Sequence, residues 1–113
     1  GGGYMRELIF QTAYRLNVNK TKFYKLAKDR YPEIGPMKAA EFVKYPRSRD
    51  YALDFTVGEY HHHLFLSVVG GKARLGDDCS TYNDDGERVS RWECHALTLD
   101  ELRAFDMVEE VGA

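Results

Sequence analysis

Three consecutive histidines, His61, His62 and His63, lie in an apolar frame that opens at Tyr60 and continues through Leu64 and Leu66. On an extended chain neighbouring side chains point to opposite faces, so His61 and His63 share one face and His62 takes the other. The Gly58-Glu59 dipeptide just before them suits a tight hairpin turn. That turn sets Thr56 across from His61 and Asp54 across from His63. Asp54, His61 and His63 are therefore the candidate ligands for a divalent cation, with Glu59 nearby. The plainer alternative is a solvated sheet face on which Asp54 pairs with His63, and no cofactor is expected.

Two other sets carry charge rather than metal chemistry. Lys20, Thr21, Lys22, Tyr24, Lys25 and Lys28 fall on the outward side of a helical stretch whose apolar positions are Phe23, Leu26, Ala27 and Tyr31. Lysine ammonium groups neutralise phosphates and release counterions, and near a helix start they can also reach base edges. Asp77, Asp78, Asp84 and Asp85 crowd a segment, 76–87, rich in turn-forming residues. This reads as an acidic loop able to meet a basic protein surface. It lacks the ligand spacing of a calcium loop. Cys79 and Cys94 are too few for a disulfide framework, and reduced thiols are expected. Cys94 and His95 are sequence neighbours on an extended segment, so they point apart and cannot act as nucleophile and base.

The whole chain has 113 residues and a net charge of −2, values that suit one folded domain. The charge is unevenly placed. Residues 1–50 hold eleven Lys/Arg against five Asp/Glu, whereas residues 51–113 hold five against thirteen. The first part thus suits a polyanion and the second a different task. Hydrophobic residues at 43%, with eight Tyr and six Phe, exclude disorder. No apolar run spans a bilayer and no leader is evident, so no membrane partner and a cytoplasmic location are expected. Residues 1–4 read as an appended tag ahead of a native start at Met5.

The elements that would position these groups follow from periodicity and stop signals. Met5, Leu8, Ile9, Ala13 and Leu16 recur at helical spacing and predict a first helix over 5–16. Asn17-Val18-Asn19 breaks it, and Asn19 caps a second helix over 20–31 that Pro32 ends. Gly35-Pro36 opens a third helix running to Tyr45-Pro46. Alternation then predicts strands at 51–57 and 60–68, a short one at 72–75 and a fourth at 89–97, with Trp92, Cys94 and Ala96 in the core. Thr98-Leu99-Asp100-Glu101 is a capping box that starts a last helix burying Leu102, Phe105 and Met107. The expected fold is α+β in a single domain, 5–113. A helical part, 5–46, packs as a three-helix unit on a β-rich part, 51–113. That part is an antiparallel sheet of three or four strands closed by a C-terminal helix.

Residues 6–31 resemble the helix-turn-helix of bacterial and phage regulators. Ala13 stands at the close-approach position, Leu16, Val18, Phe23 and Leu26 at the buried ones, and Asn19 at the cap of the recognition helix. The resemblance implies a small DNA-binding transcription regulator whose second helix enters the major groove. The β-rich part would then serve as a homodimer contact, a partner-binding surface or a wing, and Arg47 and Arg49 would add contacts to the DNA backbone. The His-x-His spacing also resembles the HUH nucleases, which would make His61 and His63 metal ligands. Non-enzymatic function is the expectation, with that nuclease as the enzymatic alternative. The rival to DNA binding is a phage or mobile-element protein that inhibits a host protein through Asp77, Asp78, Asp84 and Asp85.

Overall fold

The structure is a computed structural model and describes residues 9, 14–47 and 50–111. Its elements run β1 (Tyr14–Leu16), α1 (Lys20–Arg30), a 3-10 turn at Met37–Ala39, β2 (Glu41–Lys44) and β3 (Tyr51–Val57). They continue with β4 (Tyr60–Val69), β5 (Lys72–Tyr82), β6 (Arg88–Ala96), α2 (Leu99–Ala104) and β7 (Val108–Glu110). Strands β2 to β6 form an antiparallel meander in sequence order, and β1 pairs with β7 in a separate two-stranded ribbon. The dimensions, 56 × 24 × 21 Å, are those of an elongated body.

Parity along the register divides the sheet into two faces. Tyr51, Leu53, Phe55, Leu64, Leu66, Ala73 and Leu75 are buried on one face, in a single cluster with Phe23, Leu26 and Ala27 of α1 and with Leu16, Leu102 and Met107. Asn19 caps α1, its side chain accepting from the Lys22 N–H at 2.9 Å. Thr98 and Glu101 form the full capping box at the start of α2. Gly58 has φ of +60°, the left-handed geometry that the tight turn between β3 and β4 needs.

The described residues are mostly β, with two α-helices and no three-helix unit among them. Three expected elements fail, each for a local reason. Residues 14–16, assigned to the first helix, are a strand: Tyr14, Arg15 and Leu16 pair with Glu110, Glu109 and Val108. An Arg15–Glu109 ion pair at 2.9 Å supports that pairing. Ile9 bridges to Tyr14, and the rest of the predicted helix, including Ala13, lies outside the described residues. The ribbon is made with the far end of the chain, which no local periodicity encodes.

The third predicted helix is a single 3-10 turn followed by β2, where Phe42 faces Leu53 and Val43 faces Ala52. Phe42 stacks on Tyr51 and meets Phe23 edge-on, so tertiary packing overrides a weak helix signal. The predicted acidic loop at 76–87 is mainly strand. β5 extends to Tyr82, and the turn is confined to Asn83–Glu87, where the Asn83 side chain accepts from the Asp85 and Glu87 N–H groups. The helix-turn-helix assignment for residues 6–31 falls with its first helix, since residues 14–16 belong to a β-ribbon instead.

Candidate functional site

Helix α1 keeps part of its basic outward face. Thr21, Lys25 and Lys28 are exposed, and Lys20 is half-buried. Lys22 is turned toward Asp106 at 3.6 Å, with its side chain only 20% exposed. The Tyr24 hydroxyl donates to the Gly35 carbonyl at 2.5 Å, which ties it to the body. The six residues expected to read DNA are thus split between free and internally engaged side chains. Residues 14–16, the end of the helix expected to brace them from behind, form a strand. Of the two arginines expected to assist, Arg47 is exposed and Arg49 lies outside the described residues.

The histidine run divides as alternation requires. Asp54 faces His63, and Thr56 faces His61. Asp54 Oδ1 contacts His63 Nδ1 at 2.8 Å and His61 Nε2 at 3.1 Å, so one carboxylate oxygen gathers both imidazoles on the outer face. The expected convergence is real, but no set of three or more His, Cys, Asp or Glu side chains among the described residues is arranged to hold a metal ion.

His62 lies on the opposite face, buried, with Tyr31 and Phe55 rings against it. Its Nδ1 lies 3.1 Å from Asp77 Oδ2, and Asp77 is buried too. The Tyr31 hydroxyl donates to that same Oδ2. A neutral imidazole satisfying this arrangement donates from Nδ1 to the carboxylate, which leaves the Nε2 lone pair facing Cys79 Sγ at 3.9 Å. Asp, His and Cys thus line up as a nucleophilic triad would. The electrostatics run the other way. Burial first, and then the Asp77 charge, push the Cys79 thiol up from its ordinary range. Burial and Asp77 likewise push the Tyr31 phenol up, so it remains a donor. The cluster is a hydrogen-bonded tie between the C-terminal end of α1 and the sheet, with its thiol held protonated.

A strand predicted to end at Leu75 stops short of this cluster, which the observed β5 reaches by running on to Tyr82. The available signal was the continued alternation of Ala73, Leu75, Asp77, Cys79 and Thr81 on one parity. Of the four aspartates expected to dock a partner, Asp77 is consumed here. Asp78 is half-buried, 3.8 Å from Arg88, and Asp84 and Asp85 occupy the exposed hairpin turn. Cys79 and Cys94 are free thiols of opposite strand parity, so they do not pair.

Past this cluster the sheet is open. Every residue of β6 is exposed, which overturns the expectation that Trp92, Cys94 and Ala96 lie in the core. Across the sheet the buried cluster stops at β5, and among the described residues β6 has β5 as its only partner strand. Trp92 is 58% exposed, with its indole laid over Gly76, where a Cβ would fall 2.3 Å from the ring. The ring therefore leans toward β5 and away from the free edge. Tyr60, Tyr82 and Val89 are exposed at the same end. A groove of about 500 Å³ on the inner face is lined by Tyr60, His62, Cys79, Thr81, Val89 and Arg91.

The free edge has a defined hydrogen-bonding parity. The Leu97 N–H donates to the Ala73 carbonyl, and the β5–β6 register continues unbroken from Arg74↔Ala96 to Tyr82↔Arg88. Odd-numbered β6 residues therefore bond to β5. The N–H and C=O groups of Arg88, Ser90, Trp92, Cys94 and Ala96 point outward, unpaired by any strand among the described residues. No helix among the described residues is long and apolar enough to cross a membrane. Comparison with family models, with curated proteins and with solved structures finds no match to this chain.

Proposed function

We propose that this protein is a non-enzymatic polypeptide-binding module that accepts a partner's extended segment as an added strand along β6. The observation that supports this reading most directly is the outward row of backbone donors and acceptors on a nine-residue strand exposed throughout. Folded proteins normally blunt such an edge by shortening it, by proline or by a bulge. The opposite edge follows that rule by its shortness: β2 has four residues, Glu41–Lys44. β6 has no proline, its register shows no bulge, and it presents Trp92 and Val89. Main-chain hydrogen bonds would supply affinity, and the inner-face groove with the outer-face indole would select side chains on alternate positions of the guest. This keeps the expectation of partner binding through the C-terminal half but moves it from the aspartates to the edge.

Proline scanning tests the reading, because edge parity makes neighbouring positions unequal. Ser90→Pro removes an outward N–H and leaves the β5 ladder intact. Displayed random ten-residue peptides should yield alternating apolar–polar binders to the wild type at nanomolar protein, and Ser90→Pro should abolish their binding with the melting temperature nearly unchanged. Absence of any binder, or binders indifferent to Ser90→Pro, would sink the reading.

A further inference from the structure

The proposed edge binding leaves the guest unnamed, and β6 itself supplies a candidate. Resting on that reading, we infer that the strand which completes β6 is the β6 of a second copy of this chain, paired antiparallel about a two-fold axis through Trp92.

Register selects this pairing. In an antiparallel pair related by a two-fold, opposed residue numbers have a constant sum. Outward-pointing positions must meet outward-pointing positions, so that sum is even. Centring on Trp92 opposes Arg91 to Glu93 of the other copy, and Glu93 to its Arg91. Ser90 then meets Cys94, Val89 meets His95, and Arg88 meets Ala96, so all nine residues of the strand are used. Trp92, Ser90 and Cys94 have outward backbone groups and form the hydrogen-bonded pairs. Arg91 and Glu93 therefore occupy the non-hydrogen-bonded pairs, where opposed side chains come closest. The axis is perpendicular to the sheet, so both copies keep Arg91 and Glu93 on the inner face. Sliding by one allowed step opposes Arg91 to Arg91, or Glu93 to Glu93, and like charges directly opposite repel. One register is attractive and both its neighbours are repulsive.

The isolated chain has a matching electrostatic debt. The β5–β6 register sets Glu93 directly opposite Asp77, two carboxylates side by side. Glu93 is answered within its own strand only by Arg91 at 3.4 Å and His95 at 3.5 Å, with the Arg91 side chain 78% exposed. A second Arg91 arriving across the edge offsets that repulsion. The indole, drawn back over Gly76, leaves the approach open.

Sedimentation and light scattering of the full chain from about 5 to about 500 µM cover the range expected of a small edge interface. They should show growth from the 13.0 kDa chain toward twice that mass. Arg91→Glu should weaken association roughly tenfold or more, because both charge pairs become repulsive. Arg91→Glu combined with Glu93→Arg should restore it, a rescue that generic edge stickiness would not give. Ser90→Cys should oxidise to a covalent dimer with the native Cys94 of the other copy, lost on adding Cys94→Ser. The two positions lie about 13 Å apart along one strand, too far to join within a chain. A dimer indifferent to the charge swap would overturn the inference. So would a monomer at about 500 µM that still captures displayed peptides through Ser90, which would leave edge binding standing with a foreign guest. A monomer that captures nothing would overturn both.

Discussion

Asp54 and Asp77 divide one run of three histidines between them, from opposite faces of the same sheet. Asp54 collects His61 and His63 on the outer face, where the two imidazole side chains are 46% and 33% exposed. Asp77 takes His62 on the inner face, with the Tyr31 hydroxyl as a second donor and both its residue and His62 buried. The residue types and distances are alike, but the surroundings differ. Water can replace the partners of Asp54, whereas an unpartnered Asp77 would be a desolvated charge. The contrast teaches that a histidine–carboxylate contact acquires structural weight from burial and from a third donor, not from its length.

The largest expected effect follows from deleting the buried acceptor. Asp77→Ala should cost about 2–4 kcal/mol in urea unfolding, since it strands both His62 Nδ1 and the Tyr31 hydroxyl. A loss as small as that of Asp54→Ala would erase the contrast. Next comes Tyr31→Phe, which keeps the ring against Phe55 and His62 and removes one donor. It should cost about 1–2 kcal/mol by the same measurement.

The pH dependence sharpens the comparison further. Tyr31 and Cys79 both hold their protons more tightly folded than unfolded, so their contributions are complete below the unfolded values. Those contributions drain away as pH climbs past 9.0 for the thiol and 10.0 for the phenol. Stability followed from pH 7 to pH 12 should fall above about 9. Tyr31→Phe should flatten the upper part of that fall, and Cys79→Ala its start. An alkaline limb unchanged in both variants would detach the cluster from stability. The smallest effect belongs to Asp54→Ala, expected to cost less than about 1 kcal/mol because its pairs are solvated.

Local chemistry was legible from the sequence where neighbouring residues decide the outcome. Asn19 caps α1, Thr98 and Glu101 close the box that begins α2, and Gly58 turns β3 into β4 with Asp54 opposite His63. The inward set of Phe23, Leu26 and Ala27 was readable too. The strand identity of 14–16 and 41–44 was not. Their short apolar patterns fit a helix as well as a strand, and pairing with residues 108–110 and 51–54 decided between them. Gly76, Asp77 and Asp78 have turn-forming composition, yet they continue β5, because Tyr31 and His62 arrive to satisfy Asp77.

By itself, then, the amino-acid order determined caps, tight turns and the two parities of the histidine run, all set by contacts within a few residues. Only the tertiary structure decided that the chain is a five-stranded meander with a helix on one face. It also decided that His62 is buried beside Asp77 and that, among the described residues, β6 ends the sheet uncovered. The physical reason is that burial and strand partnership depend on what another segment brings alongside. Trp92 could be placed on a face by counting residues, but nothing near it in the chain says that the face is left open.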